Sequence, residues 1–418
     1  MDSFLINGPT TLSGEVDISG SKNAALPIMT ACLAKPAVYR LKNVPSLRDT
    51  TTMIRLLKII GAKVSHNNSI LTIDTNNCDN PNAPYELVKT MRASFYVLGP
   101  LLSRFEYAKV SLPGGCAWGP RPIDYHLKAF EQLGAKITLR SGYIVTKGQL
   151  KANVVKFPKP SVGATGNVIM ACVNLVEHVT ILNAAKEPEI IDLCEFLKKT
   201  GVKFKGIGTD SLTIMGSNKE ISNIIDYSII PDRIEAGTFL IACAATGGRI
   251  ILNNVNPNHL GNVLENLKKT NVMINIKNNQ LEIISKNPKK SVSLSTKVYP
   301  GFPTDLQAQW TTYMSIINGD CFVEDTIYID RFTHIPELNR LGAKIIMDEN
   351  KARISGVKKL FGAHVMSTDI RASASLIIAS MCADGESSLS RIYHIDRGYE
   401  NIELKLTKIG ASIKRISS

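Results

Sequence analysis

The stretch "SLPGGCAWGPR", Ser111 to Arg121, puts a cysteine where the chain must turn. Cys116 follows Gly114 and Gly115, lies between Pro113 and Pro120, and has Trp118 and Arg121 close by. Cysteine is ordinarily a small buried hydrophobe, whereas glycine and proline at this density make a loop. Either the thiol is idle on a surface loop, or the loop exists to present it. A thiol of ordinary pKa, about 8.5, is a poor acid in neutral water; a nearby cation such as Arg121 lowers that value. The thiol then serves both as a proton donor and, once ionised, as a nucleophile.

A second set of reactive side chains stands at the starts of apolar helices: Lys22 and Asn23, Arg92, Asp232 and Arg233, Asp305, Asp369 and Arg371. A helix N-terminus attracts anions, and arginine adds two-pronged recognition of carboxylate or phosphate. Taken singly, some of these are caps or surface pairs, Asp232 and Arg233 above all. Taken together they point to one anionic ligand.

The elements that must hold these residues repeat along the chain. An amphipathic helix end, a Gly-Ala-Lys-like phrase and an alternating strand recur in "LLKIIGAKVSH", "FEQLGAKITLR", "FLKKTGVKFKG", "LENLKKTNVMIN", "LNRLGAKIIMD" and "LTKIGASIKRI". The markers Gly61, Gly134, Gly201, Asn271, Gly342 and Gly410 are spaced 67 to 73 residues apart, so the period is roughly 70 residues. Glycine suits a helix C-cap that needs positive φ, and asparagine is its usual substitute. Half a period away run helices apolar nearly all round, such as "SKNAALPIMTACLA", "MRASFYVLGPLLSRF" and "DIRASASLIIASMCADG". They are expected to be buried on most sides. The predicted fold class is therefore α/β, with three units closing around their internal helices and six units making two similar lobes. No Gly-rich dinucleotide fingerprint accompanies the alternation, which argues against an ordinary Rossmann domain. A cleft between the lobes is the expected ligand site.

At 418 residues the chain exceeds one ordinary core. Its eight cysteines form no CxxC pair, so neither a zinc site nor a disulfide frame is indicated. Cys32, Cys172, Cys243 and Cys382 lie in apolar helices and read as packing residues in a reducing compartment. No apolar run is long enough to span a bilayer. The start, "MDSFLINGPT", lacks the pattern of a signal peptide. A cytoplasmic location is the expectation, with no membrane partner. The net charge of +13 invites a nucleic-acid reading. The basic residues are scattered, however, and no aromatic platform accompanies them, which favours a small anionic ligand over nucleic acid.

The phrases "SGSKNAALP", "MRASFYVLGP", "SLPGGCAWGPRPIDYH", "SVGAT", "KEPEIIDLCEFL", "PDRIEAGTF", "FPTDLQAQ", "DRFTHIPEL", "TDIRASASL" and "RIYHIDRGYE" follow in that order over nearly the full length. Together they resemble the UDP-N-acetylglucosamine 1-carboxyvinyltransferases, enolpyruvyl transferases of the EPSP synthase family. The resemblance implies two inside-out, barrel-like α/β lobes of three units each, one at about residues 22–229, the other from 1–21 and 230–418. It implies transfer of the enolpyruvyl group of phosphoenolpyruvate to the 3'-hydroxyl of UDP-N-acetylglucosamine, by addition and elimination with release of phosphate. That is the first committed step of peptidoglycan synthesis. No metal or organic cofactor is implied, and the oligomeric state is expected to be a monomer or weak oligomer.

The same resemblance assigns roles. Lys22, Arg121 and Arg397 would hold the phosphate, and Arg331 and Arg371 the carboxylate, with Arg92 and Asn23 completing the cluster. Asp305 would take the proton of the sugar hydroxyl, and Asp369 would support the intermediate. Cys116 would protonate the methylene carbon, form a covalent adduct with phosphoenolpyruvate, and be the residue that fosfomycin alkylates. Gly114, Gly115 and Gly119 would let its loop close over the ligand. Contacts to the UDP-sugar would come from Arg121, Pro122, Ile123, Asp124 and Tyr125, from Lys159, Ser161, Val162 and Gly163, and from Asp305 and Ile327. Trp118, Tyr125 and Lys186 depart from the more usual residues at their positions, and none removes a group the reaction needs. The rivals are the sister transferases that act on shikimate 3-phosphate, which lack the cysteine loop, and a silent UDP-sugar sensor, which need not keep a proton donor.

Overall fold

The structure, a computed structural model, describes residues 2–112, 123–286 and 289–417. Cys116, Arg121 and Pro122 lie outside the described residues. The chain divides into two compact units, Gly20–Ile230 and Met1–Ser19 with Pro231–Ser418, each with its own apolar core.

Every marker phrase ends a helix and begins a strand. The helices are Arg48–Ile60, Asp124–Gln132, Pro188–Lys198, Gly261–Lys269, Ile335–Arg340 and Ile402–Lys408. In the first, Met53, Leu56, Leu57 and Ile60 make one buried stripe at helical spacing. Gly61 caps it at φ 109°, and Asn271, just past the C-cap Thr270 of its counterpart, has φ 69°. The conformation is left-handed in both, which is why the marker must be glycine or, at small cost, asparagine.

In Gly20–Ile230 the strands form three four-stranded sheets. Ordered across each sheet they run Ile225–Ser228, Val38–Lys42, Ile70–Asp74, Lys63–Asn67; Asn82–Ala83, Tyr107–Ser111, Tyr143–Lys147, Lys136–Arg140; and Val154–Lys156, His178–Leu182, Ser211–Met215, Lys203–Lys205. In each, the first pair is parallel and the other two are antiparallel. The second unit repeats the plan twice, with sheets centred on Gly248–Asn253 and Asp320–Glu324. Its third sheet places Ser3–Gly8 between Ala383–Ser390 and Ser412–Ile416, antiparallel to both.

The apolar helices form the interior. In the second unit Arg233–Thr246, Gln307–Ser315 and Ile370–Cys382 pack against one another, and all nine residues of Gln307–Ser315 are buried. The "MRASFYVLGPLLSRF" phrase is not one helix but a 3-10 turn, Arg92–Val97, followed by the α-helix Leu98–Phe105. Pro100 accounts for the break: it lacks an N–H and its ring is best accommodated in a helix's first turn, so the α-helix begins just before it. Among the expected packing cysteines, Cys32, Cys172 and Cys243 are buried, whereas Cys382 at its helix end is only partly covered.

Candidate active site

The inner helices of the second unit bring their N-terminal turns together. Asp305 lies in the 3-10 turn Thr304–Leu306, Arg371 in the first turn of Ile370–Cys382, and Thr238 in the second turn of Arg233–Thr246. Arg331 donates to Asp305 Oδ1 at 2.8 Å and Arg371 to Oδ2 at 2.9 Å. One carboxylate is thus gripped by two guanidinium groups. Burial disfavours the Arg371 charge, but the Asp305 carboxylate more than restores it and holds its pKa above the ordinary value.

Residues that the sequence did not single out hold this arrangement. Thr304 donates to Asp325 Oδ2 at 2.6 Å and accepts from Arg331 at 3.1 Å. The fully buried Asp325 also takes the Thr296 hydroxyl at 2.8 Å and the N–H groups of Ile327 and Tyr328 at 2.9 and 2.8 Å. That sets the loop carrying the exposed Ile327 beside the Asp305 turn. On the other side, the Tyr399 hydroxyl meets Arg371 at 3.4 Å and Thr238 at 2.8 Å. Nothing in the spacing of "VEDTIYIDRF" marks Asp325, whereas Tyr399 stands in the quoted "RIYHIDRGYE" phrase.

Asp369 caps the Ile370–Cys382 helix, its Oδ1 accepting from the N–H groups of Arg371 and Ala372 at 2.7 and 3.3 Å. Half-buried His394 is held below its ordinary pKa by burial and by Arg397, against the pull of Asp369. Arg397, His394 and Asp369 are therefore within electrostatic reach of one another.

In Gly20–Ile230, Ser21 caps the Lys22–Ala31 helix by accepting from Ala24 N–H at 3.3 Å. Buried Lys22 sits 3.4 Å from Asp49 Oδ2, with Asn23 half-buried beside it and Arg92 exposed. The segments 123–125 and 161–163 come together through His126. Its Nδ1 lies 3.1 Å from Asn167 Nδ2 on the Val162–Ala171 helix, and its ring meets Phe95 edge-on at 5.1 Å. A Cβ on Gly163 would stand 3.1 Å from His126 Nε2. Burial, then the Arg92 charge, push His126 down to about 3, so it is a neutral ring accepting from Asn167. An amide, Asn167, in the mostly apolar "GATGNVIMA" was the visible sign of this contact. Tyr125 stacks on Phe157 at 6.2 Å. Ser161 caps its helix through Ala164 N–H at 3.3 Å, and Lys159 is exposed.

A cavity of about 390 Å³ on the third sheet of this unit is lined by His178, Lys198, Val202, Lys203, Phe204, Lys205, Thr213 and Met215. It holds none of the candidate residues and no carboxylate, so it does not compete with Asp305 as the seat of acid–base chemistry.

The family model of EPSP synthase (3-phosphoshikimate 1-carboxyvinyltransferase) matches residues 6–406. The chain belongs to the EPSP synthase family. Relatives named UDP-N-acetylglucosamine 1-carboxyvinyltransferase match it from end to end. That of Chlorobium phaeovibrioides is 48% identical, covering 99% of this chain and 98% of its own. Those of Campylobacter hominis and Geotalea daltonii are 46% and 48% identical, covering 100% of both chains. Among solved structures, the enolpyruvyl transferase NikO of Streptomyces tendae superposes with a TM-score of 0.91 at 22% identity, covering 100% of this chain and 99% of its own. An EPSP synthase of Acinetobacter baumannii gives 0.76 at 16%, covering 100% of both. At such identities the likeness is one of fold, and the fold is that of the EPSP synthase family.

Proposed function

We propose that the chain transfers the enolpyruvyl group of phosphoenolpyruvate to the 3'-hydroxyl of UDP-N-acetylglucosamine, releasing phosphate. The observation that carries the reading is a carboxylate held between two arginines, Asp305 between Arg331 and Arg371, in a chain whose full-length relatives bear that enzyme's name. Asp305 accepts the proton of the 3'-hydroxyl as its oxygen bonds to the central carbon of phosphoenolpyruvate. Cys116 gives its proton to the methylene carbon, which becomes a methyl group. Arg331 and Arg371 take the substrate carboxylate, and Lys22, Arg121 and Arg397 the phosphate, so charge is met by preorganised cations. The tetrahedral adduct then loses a methyl proton and phosphate, restoring the double bond as an enol ether. Ile123, Asp124, Tyr125, Ser161, Val162 and Gly163 line the nucleotide's place, with Lys159 and Ile327 at its margins. The substrates are small, soluble and anionic, in keeping with the basic balance of the chain, a cytoplasmic location and action as a monomer or weak oligomer in cell-wall synthesis.

Phosphate release from phosphoenolpyruvate tests this, with UDP-N-acetylglucosamine in one tube and shikimate 3-phosphate in another. Release only with the UDP-sugar is expected. Release with shikimate 3-phosphate would keep the family and overturn the acceptor, and silence in both would overturn catalysis.

A further inference from the structure

Tyr399 stands between Arg371 and Thr238, and its bond to the arginine runs one way only, because a guanidinium donates and has no acceptor. The Thr238 hydroxyl lies within hydrogen-bond reach of the Ile234 carbonyl at 2.9 Å. In the 2.8 Å contact between Thr238 and Tyr399 either hydroxyl can be the donor. The tyrosine oxygen accepts the Arg371 N–H at 3.4 Å, and the Gln309 amide lies 3.3 Å from it. The Gln309 amide also reaches the Asp305 carbonyl at 3.2 Å and Thr238 at 3.1 Å. A hydrogen-bonded chain results, from the Arg371 guanidinium through Tyr399 and Thr238 to a helix carbonyl.

Geometry makes this chain a constraint on Arg371. The guanidinium lies over the Tyr399 ring, 5.9 Å from its centroid. One of its terminal nitrogens is aimed at the tyrosine oxygen and the other at Asp305 Oδ2. A planar guanidinium can turn about its own axis; a hydrogen bond at one terminal nitrogen fixes where the other points. We infer that Tyr399 is a positioning residue for the transfer reaction, setting the roll of Arg371 and through it the place and charge state of Asp305. The inference rests on the proposed function only for its kinetic consequences. Tyr399 itself touches no reacting atom in this account, and burial keeps its phenol neutral by raising its pKa. The charged groups facing the cluster are Asp305 and Arg331, with Asp232 at the head of the Arg233–Thr246 helix also acting on Arg371 and Tyr399.

Tyr399→Phe removes the oxygen and keeps the ring under Arg371. The expected result is a kcat about tenfold lower with KM for the UDP-sugar within about twofold, as for other losses of a supporting hydrogen bond. The acid limb of kcat/KM should move upward by about half a unit, because a guanidinium free to turn stabilises the Asp305 carboxylate less. In an Arg371→Lys background the same change should cost nothing more, since the atom it acts through is gone. A wild-type kcat and pH profile in Tyr399→Phe would overturn the inference. So would a loss confined to thermal stability, or full additivity with Arg371→Lys. Titration of the Asp305 carboxyl by carbon NMR gives a readout without turnover. An upward shift there in Tyr399→Phe supports the positioning role even if the wild type shows no transferase activity, the outcome that would sink the functional reading alone; no shift overturns the inference.

Discussion

Thr304 gives its hydroxyl proton to Asp325 Oδ2 at 2.6 Å, and Thr304 is the residue immediately before Asp305. The Thr304 Oγ1 in turn accepts from Arg331 at 3.1 Å, so one hydroxyl ties a buried carboxylate to a guanidinium that grips the candidate base. Thr304→Val keeps the shape and removes both bonds. It should lower unfolding stability by about 1–3 kcal/mol, the cost of leaving a buried acceptor short of a donor, and depress kcat, whereas Thr304→Ser should restore both. Urea unfolding and phosphate release check this; a Val variant equal to wild type in both would show that Asp325 does not brace the site.

Gly163 lies so close to His126 that a methyl group there must displace the ring. Gly163→Ala should raise KM for UDP-N-acetylglucosamine several-fold, roughly 1 kcal/mol of binding, and leave kcat within about twofold. Steady-state kinetics in both substrates decide it. A change in kcat alone would place His126 nearer the chemistry than the nucleotide.

Asp192 makes a pH prediction. Burial raises its carboxyl from 3.8 to about 6, despite the Tyr227 hydroxyl donating to Oδ1 at 2.6 Å. The folded state therefore binds the proton more tightly than the unfolded chain does. Its favourable contribution is fully present below about pH 3.8 and is lost as pH rises to about 6. Asp192→Asn should remove that fall, so its stability relative to wild type rises between pH 4 and 6 and stays higher at pH 7. Chemical denaturation at pH 4, 5, 6 and 7 measures it, and a pH-independent difference would refute the assignment. His126 slopes the other way, its contribution lost as pH falls from 6.5 towards about 3, but it cancels in the difference between variant and wild type.

Cys116→Ala should abolish or cripple turnover and confer fosfomycin resistance, since it removes the group proposed as both acid and nucleophile. Cys116→Asp should keep part of the activity, because a carboxylic acid also donates a proton. Mass spectrometry after fosfomycin treatment is the cleanest check: label retained on Cys116→Ala would move the reactive thiol elsewhere.

The sequence showed these elements unevenly. The glycine markers were legible because a left-handed C-cap leaves few choices, and Asn271 kept the pattern where glycine failed. The buried helices were legible from apolar residues on every face. The strand partners were not: Ile225–Ser228 pairs with Val38–Lys42 across some 180 residues, and Ser3–Gly8 joins strands near residue 400. No local pattern encodes such pairings. Asp305, Arg331 and Arg371 could be named from motifs, yet their grip on one another needed the fold. Asp325 carries no signal at all, since a buried aspartate and a surface one are spelled alike, whereas Thr304 stands in the quoted "FPTDLQAQ" phrase without being singled out there. Asp369 was named only as a support for the intermediate, and its place at a helix cap, with Oδ1 accepting from the N–H groups of Arg371 and Ala372, needed the structure.

The placement of Ser3–Gly8 between Ala383–Ser390 and Ser412–Ile416 bears on the order in which the protein can be made. Gly20–Ile230 is one continuous run of chain, and its last sheet is complete once Ser228 has left the ribosome. The other unit's strand Ser3–Gly8 emerges before the whole of Gly20–Ile230 and must then wait, with both edges unpaired, until Ala383–Ser390 and Ser412–Ile416 have been translated. An unpaired strand edge is a template for pairing with a neighbour. The interval between synthesis of Ser3–Gly8 and arrival of Ser412–Ile416 is thus when the nascent chain is most exposed to misassembly, and slowing translation beyond residue 230 lengthens that interval without touching the half already folded.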